Sequence, residues 1–201
     1  MNPATNDTTS LQAIRFVPPR ELSILDQLLL PFETVYRPIR TIQDGHHAIK
    51  TMQVRGAPAI AIVAVLSLVV DFHSQPLRFD SPTALLEALT EAVTYLQSSR
   101  PTAVNLFEAT TRLQREMETQ ANSPAGTTST VQGLLDHLLQ FGQGMLAKDV
   151  EDNQHIGEIG ADVIQKLKQS NSTNPLTYKV VTHCNTGALA TAGWGTALGI
   201  V

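Results

Sequence analysis

The most apolar run in the chain, residues 57–70, contains no charged residue and a single hydroxyl, Ser67. It is too long for a strand and too short for a membrane span, which predicts a helix buried on all sides. Pro58 falls in its first turn, where a missing N–H costs nothing. Before this run, short β-rich stretches at residues 11–16, 22–30 and 34–39, broken by Pro18-Pro19, predict a small antiparallel sheet. Residues 41–53 put Ile42, Ile49 and Met52 on one face and predict a helix weakened by Gly45. After the apolar run, Ser81 is a natural N-cap and Pro82 a first helical residue. Leu85, Leu86, Leu89, Val93 and Leu96 form the stripe of that helix. Ser98 to Pro101 breaks it, and Thr102 is expected to cap the next helix, through about Met117. Residues 122–129 read as a surface loop. Val131, Leu134, Leu135, Leu138, Phe141 and Met145 stripe a further helix, and a second amphipathic helix is expected at about 151–168. A linker at 170–175 precedes a short β-branched run, Val180-Val181-Thr182. That run predicts a strand feeding a small-residue helix through His183-Cys184-Asn185-Thr186-Gly187.

The expected fold class is α/β, or α+β overall. A polar, disordered tail (1–10) would precede a small β element and helical domain (11–120). Linking helices and the first strand and helix of a Rossmann-like parallel-sheet domain would follow (121–201). No repeat of fixed period is present.

Composition narrows this reading without redirecting it. The 201 residues are 42% hydrophobic and 16% charged, as in an ordinary globular protein. A formal charge of −4 with dispersed Lys and Arg argues against a general nucleic-acid binder. A single cysteine forms no internal disulfide, so a reducing, intracellular compartment is the simpler expectation. The N-terminal ten residues lack the basic and apolar regions of a signal peptide, and no membrane association is expected.

Candidate chemistry starts at Cys184. A thiol at a strand-to-helix turn faces backbone N–H groups and the positive end of a helix dipole, which favours thiolate. Thr186 and Gly187 would add N–H groups for an anion. A lone cysteine is also often a small buried hydrophobe, and both readings stay open on the residues alone. Arg55-Gly56-Ala57-Pro58 is the second site: an arginine and free N–H groups ahead of a helix suit a phosphate, although a plain loop with a surface arginine has the same pattern. Arg100-Pro101-Thr102 repeats the arrangement, and the two together suggest a pocket for a phosphorylated small molecule. His46 and His47 are adjacent and diverge on a helix, and no His, Cys or acidic spacing resembles a zinc site. Gly193-Trp194-Gly195 lacks a dinucleotide-binding spacing. Asp149, Asp152 and Asn153 read as capping or solvating residues of the helix near them.

Three segments, residues 55–60 (Arg-Gly-Ala-Pro-Ala-Ile), 100–105 (Arg-Pro-Thr-Ala-Val-Asn) and 182–188 (Thr-His-Cys-Asn-Thr-Gly-Ala), together resemble the methylthioribose-1-phosphate isomerases. That group is related to ribose-1,5-bisphosphate isomerases and to the regulatory subunits of translation initiation factor 2B. Residues 22–27 and 149–160 also resemble family segments. The resemblance implies an aldose–ketose isomerase of methionine salvage that converts 5-methylthioribose 1-phosphate to 5-methylthioribulose 1-phosphate without metal or organic cofactor. It implies Arg55, Gly56 and Ala57 as substrate contacts, Arg100 at the phosphate end, and Cys184 as the group that assists the transition state. It implies a homodimer in full-length members and a cytoplasmic location, with the nucleus as a second compartment. Family members continue well past the position matching Val201, where they carry a catalytic aspartate. The expectation is therefore a truncated chain with little or no isomerase activity alone, which steady turnover by the purified chain would contradict. The alternatives are a non-catalytic interaction protein of the initiation factor 2B type and a ribose-1,5-bisphosphate isomerase. The Cys184 motif favours an isomerase over the first of these.

Overall fold

The computed structural model describes residues 11–123, 129–170 and 179–201. Its centre is the apolar run. Helix α2 (Ala57–Ser74) is buried from Ala59 through Val70, as its composition predicts, and extends one turn further to include Phe72 and His73. By length and composition alone this helix could cross a membrane, but 78% of it lies inside the protein. Four other helices surround it: α1 (Ile42–Lys50), α3 (Pro82–Ser98), α4 (Val104–Ala121) and α5 (Val131–Ser170).

A three-stranded antiparallel sheet, β1 (Ile14–Val17), β2 (Glu21–Leu25) and β3 (Tyr36–Ile39), closes one side in the order β1-β2-β3. Alternation fixes its register. Leu22 and Ile24 point to the core from β2 and pair with Phe16 and Ile14 of β1, whereas Arg15, opposite Ser23, faces outward. Helix α1 starts with a reciprocal cap: Thr41 Oγ1 accepts from Asp44 N–H, and the Asp44 carboxylate accepts from Thr41 N–H. Gly45 is required there by packing, because a Cβ would stand 2.6 Å from Ser67 of α2. His46 is buried and stacks on Tyr95 of α3 at 4.2 Å, whereas His47 is exposed. Ser81 and Pro82 start α3 as expected, with Ser81 Oγ accepting from Ala84 N–H.

Three expectations are corrected. Thr102 does not cap α4; it lies in a turn, and the helix begins after Ala103, whose N–H bonds to Arg100 C=O. The two helices expected around 131–145 and 151–168 are one helix, α5. Nothing between Met145 and Glu151 breaks the backbone, and a Lys148–Asp152 pair at 2.9 Å bridges the presumed junction. The polar cluster read as a cap therefore lies mid-helix. The third correction concerns the terminal strand and helix. Val180, Val181 and Thr182 are exposed and unpaired, and the chain beyond forms only two 3-10 turns, Ala188–Ala190 and Ala197–Ile200. A parallel strand is stable only with neighbours that take up its N–H and C=O groups, and none of the described elements supplies one. The expected disordered tail (1–10), most of the 122–129 loop and the 170–175 linker beyond Ser170 lie outside the described residues.

Candidate functional site

The Arg55 loop leaves α1 and enters α2 beside the end of β2. Gln27, just past that strand, donates its N–H to Gln53 C=O at 2.9 Å, and its own C=O accepts from Arg55 Nη2 at 2.6 Å. The Arg55 guanidinium is thus held by the sheet end, and its Nε is buried without a partner among the described residues. Gly56 follows with φ at 101°, a left-handed value that disfavours any side chain. A Cβ there would also strike the backbone of Ala190. Ala57 is exposed at the start of α2, whose first N–H groups have no intrahelical acceptor.

The chain after Cys184 crosses this loop. Gln27 Nε2 donates to Leu189 C=O at 2.7 Å, and Ala190, fully buried, rests on Gly56. Two residues on, Ala192 N–H donates to Asp149 Oδ2 at 2.7 Å. Asn153, one turn along α5, donates to Asp149 Oδ1 at 3.3 Å and to its backbone C=O at 2.8 Å. Burial pushes the Asp149 carboxyl above the usual carboxylate range; the Ala192 N–H opposes this, the nearby Asp152 charge adds to it, and Asn153 opposes it again. Residues 189–192 are therefore pinned to the end of β2, to the Arg55 loop and to α5.

The second motif meets the same place from the other side. Pro58 and Asn105 line one open groove of about 210 Å³ together with Arg112, Lys148, Asp149 and Asp152. Its cations already have partners: Arg112 lies 3.7 Å from Glu108 and Lys148 2.9 Å from Asp152. Arg100 is half-buried at the end of α3. Its backbone makes turn bonds to Gln97 and Ala103, and its guanidinium has no hydrogen bond or ion pair among the described residues. It does not sit directly at a helix start, because the Pro101–Ala103 turn intervenes.

Cys184 is exposed, with φ at 76°, in the left-handed region. The 3-10 turn that follows it is three residues long and offers no helix dipole to the thiol. The expected placement of Cys184 at a helix N-terminus is thus corrected: the coil around it lacks the sheet that would aim it. The structure gathers Arg55, Gly56 and the strap after Cys184. It draws Asn105 of the second motif into the adjoining groove, but gives no contact between Arg100 and Arg55. Among the described residues, no group of three or more His, Cys, Asp or Glu side chains is arranged to hold a metal ion.

Residues 53–200 match the initiation factor 2 subunit family. The chain belongs to this family. Several relatives bear the name methylthioribose-1-phosphate isomerase. That of Talaromyces marneffei is 47% identical over 196 residues, covering 96% of this chain and 49% of that protein. That of Drosophila persimilis is 45% identical over 195 residues, covering 96% and 52%. The chain spans about half the length of the curated relatives it matches. Among solved structures of the family fold, the 5-methylthioribose 1-phosphate isomerase of Pyrococcus horikoshii superposes with a TM-score of 0.77 at 28% identity, over 96% of this chain and 49% of that one. The translation initiation factor eIF-2B delta subunit of A. fulgidus gives 0.73 at 31% identity, over 95% and 50%.

Two residues of this family member, Gln27 and Asp149, lie in the segments 22–27 and 149–160 that resemble the family, but no site role was read for either from the sequence. Gln27 follows the apolar positions of β2 directly, and the polar Asp26-Gln27 pair at a strand end was the available signal. Both side chains are buried, Gln27 to 3% exposure, which an amide reaches only when hydrogen-bonded. Asp149 looked like a capping residue because its neighbours are polar. Its acceptor role for Ala192, 43 positions away, has no local signature.

Proposed function

We propose that this chain supplies substrate-binding and catalytic groups of a methylthioribose-1-phosphate isomerase, which converts the aldose 5-methylthioribose 1-phosphate to its ketose. The observation that carries the reading is the convergence of the Arg55-Gly56-Ala57 loop and the strap that follows Cys184, in a chain 47% identical to a relative of that name. The net reaction moves hydrogen from C2 to C1, with the C2 hydroxyl losing a proton and the ring oxygen gaining one. In this reading Arg55, Gly56 and Ala57 hold the sugar phosphate through the guanidinium and the free N–H groups of α2, and Arg100 supplies the phosphate with a second cation. Cys184 handles a proton at the reacting carbons. A parallel Rossmann-like sheet around Cys184 would supply the aim that the coil lacks. The likeness to the A. fulgidus delta subunit supports a second reading, a non-catalytic interaction protein of translation, in which Cys184 and Arg55 have no chemical task.

The test substitutes this chain for the matching stretch of the T. marneffei protein and measures ketose formation. Turnover of 5-methylthioribose 1-phosphate exceeding that of ribose 1,5-bisphosphate is expected. Arg55→Ala is expected to raise KM by about tenfold or more, the effect of losing a charge-assisted contact. A folded chimera that binds neither sugar, while co-purifying with a translation factor, would support the second reading instead.

A further inference from the structure

The contacts on residues 189–192 come from parts of the chain far apart in sequence and end on one short segment. Gln27 Nε2 holds Leu189 C=O at 2.7 Å, Gly56 receives Ala190 with no room for a Cβ, and Asp149 Oδ2 holds Ala192 N–H at 2.7 Å. Gln27 also ties this segment to Arg55, because its backbone C=O is the acceptor for Arg55 Nη2 at 2.6 Å. One residue therefore fixes both the arginine and the strap that starts five residues after Cys184. Thr191 closes the strap internally, its Oγ1 donating to Trp194 C=O at 2.6 Å.

We propose that Gln27 and Asp149 are positioning residues that clamp Leu189–Ala192 against the helical core, and thereby set where the Cys184 turn stands relative to Arg55. The clamp stands on this geometry; its catalytic consequence rests on the isomerase reading. Neither side chain touches the sugar in this account, so both act through Arg55 and the strap. The chemistry of each is specific. Gln27 must donate to a carbonyl, so Gln27→Glu, almost the same shape, would place oxygen against oxygen and break the contact. Asp149 must accept from an N–H, so Asp149→Asn keeps an acceptor whereas Asp149→Leu removes it.

Amide hydrogen exchange on the 201-residue chain reads the clamp without any activity. Gln27→Glu and Asp149→Leu are each expected to speed exchange at Ala190 and Ala192 by about tenfold or more, the loss of one buried hydrogen bond, while α2 keeps its protection. Asp149→Asn is expected to restore slow exchange. The response of Ala192 to a change at Gln27 is the decisive cross-effect, since the two do not touch. In the chimera, Gln27→Glu is expected to lower kcat by about tenfold to a hundredfold with KM within about threefold, as a misplaced reacting group does. Unchanged exchange at Ala192 in Gln27→Glu would overturn the clamp. Faster exchange with unchanged kcat would overturn its positioning role and leave the isomerase reading standing. A parent chimera with no turnover would overturn that reading alone, because the exchange experiment still decides the clamp.

Discussion

Asp149 shows how much one side chain does that its immediate neighbours do not announce. It is a mid-helix aspartate, half-buried, that accepts an N–H from a segment 43 residues away. Burial raises its folded pKa, which fixes the sign of its linkage to pH. The stability it contributes is fully present below the ordinary aspartate pKa and is lost as pH rises through the raised folded value. Asp149→Asn carries no charge at any pH and lacks this slope. Denaturation measured from below the carboxylate range to neutrality is therefore expected to show the variant gaining on the parent as pH rises. A constant difference would contradict the assignment. Cys184 is the opposite case. The sequence marks it plainly, as the sole cysteine in a family motif, yet its surroundings give it neither helix dipole nor sheet.

At the scale of elements, glycines in the helices separate packing from propensity. Gly45 in α1 faces Ser67 Cβ and Oγ across the α1–α2 contact, whereas Gly144 in α5 has nothing within 4 Å of an added Cβ. Gly144→Ala should stabilise by up to about 1 kcal/mol, the helix preference of alanine over glycine. Gly45→Ala gains the same preference but forces two helices apart, and overpacking of about 1–3 kcal/mol outweighs it. Opposite shifts in the urea midpoint check the pair; two stabilised variants would show that the α1–α2 contact yields easily. The elements legible in the sequence are those with a strong period or a cap: α2 by its unbroken apolar run, α3 by Ser81-Pro82, and the sheet by its alternation. Those misread are the ones whose limits depend on distant partners. The stripe of the expected 151–168 helix forms, but Ile156, Ile159, Val163 and Leu167 remain largely exposed, so periodicity alone does not tell a buried face from an open one. The terminal strand failed for the related reason that a strand is a property of a sheet.

For the whole molecule, motif and fold carry different amounts of information. The three motifs lie far apart along the chain, and only the fold shows that Gln27, Gly56 and Asp149 hold the segment just after the third, residues 189–192, against the first. Motif resemblance pointed to Arg55, Gly56 and Cys184 directly; it covered the segments holding Gln27 and Asp149 without giving them a role, because hydrogen bonds across 162 positions leave no periodic trace. In the proposed function, Cys184 works chemically on a sugar phosphate held by the Arg55 loop. The most direct test of this role is ketose formation by the chimera carrying this chain, with and without Cys184→Ala, alongside calorimetric binding of 5-methylthioribose 1-phosphate. The account predicts that the variant binds the sugar phosphate as the parent does and loses about a hundredfold or more in kcat, the scale of a lost proton-transfer group. A variant that turns the sugar over within a few-fold of the parent would contradict it.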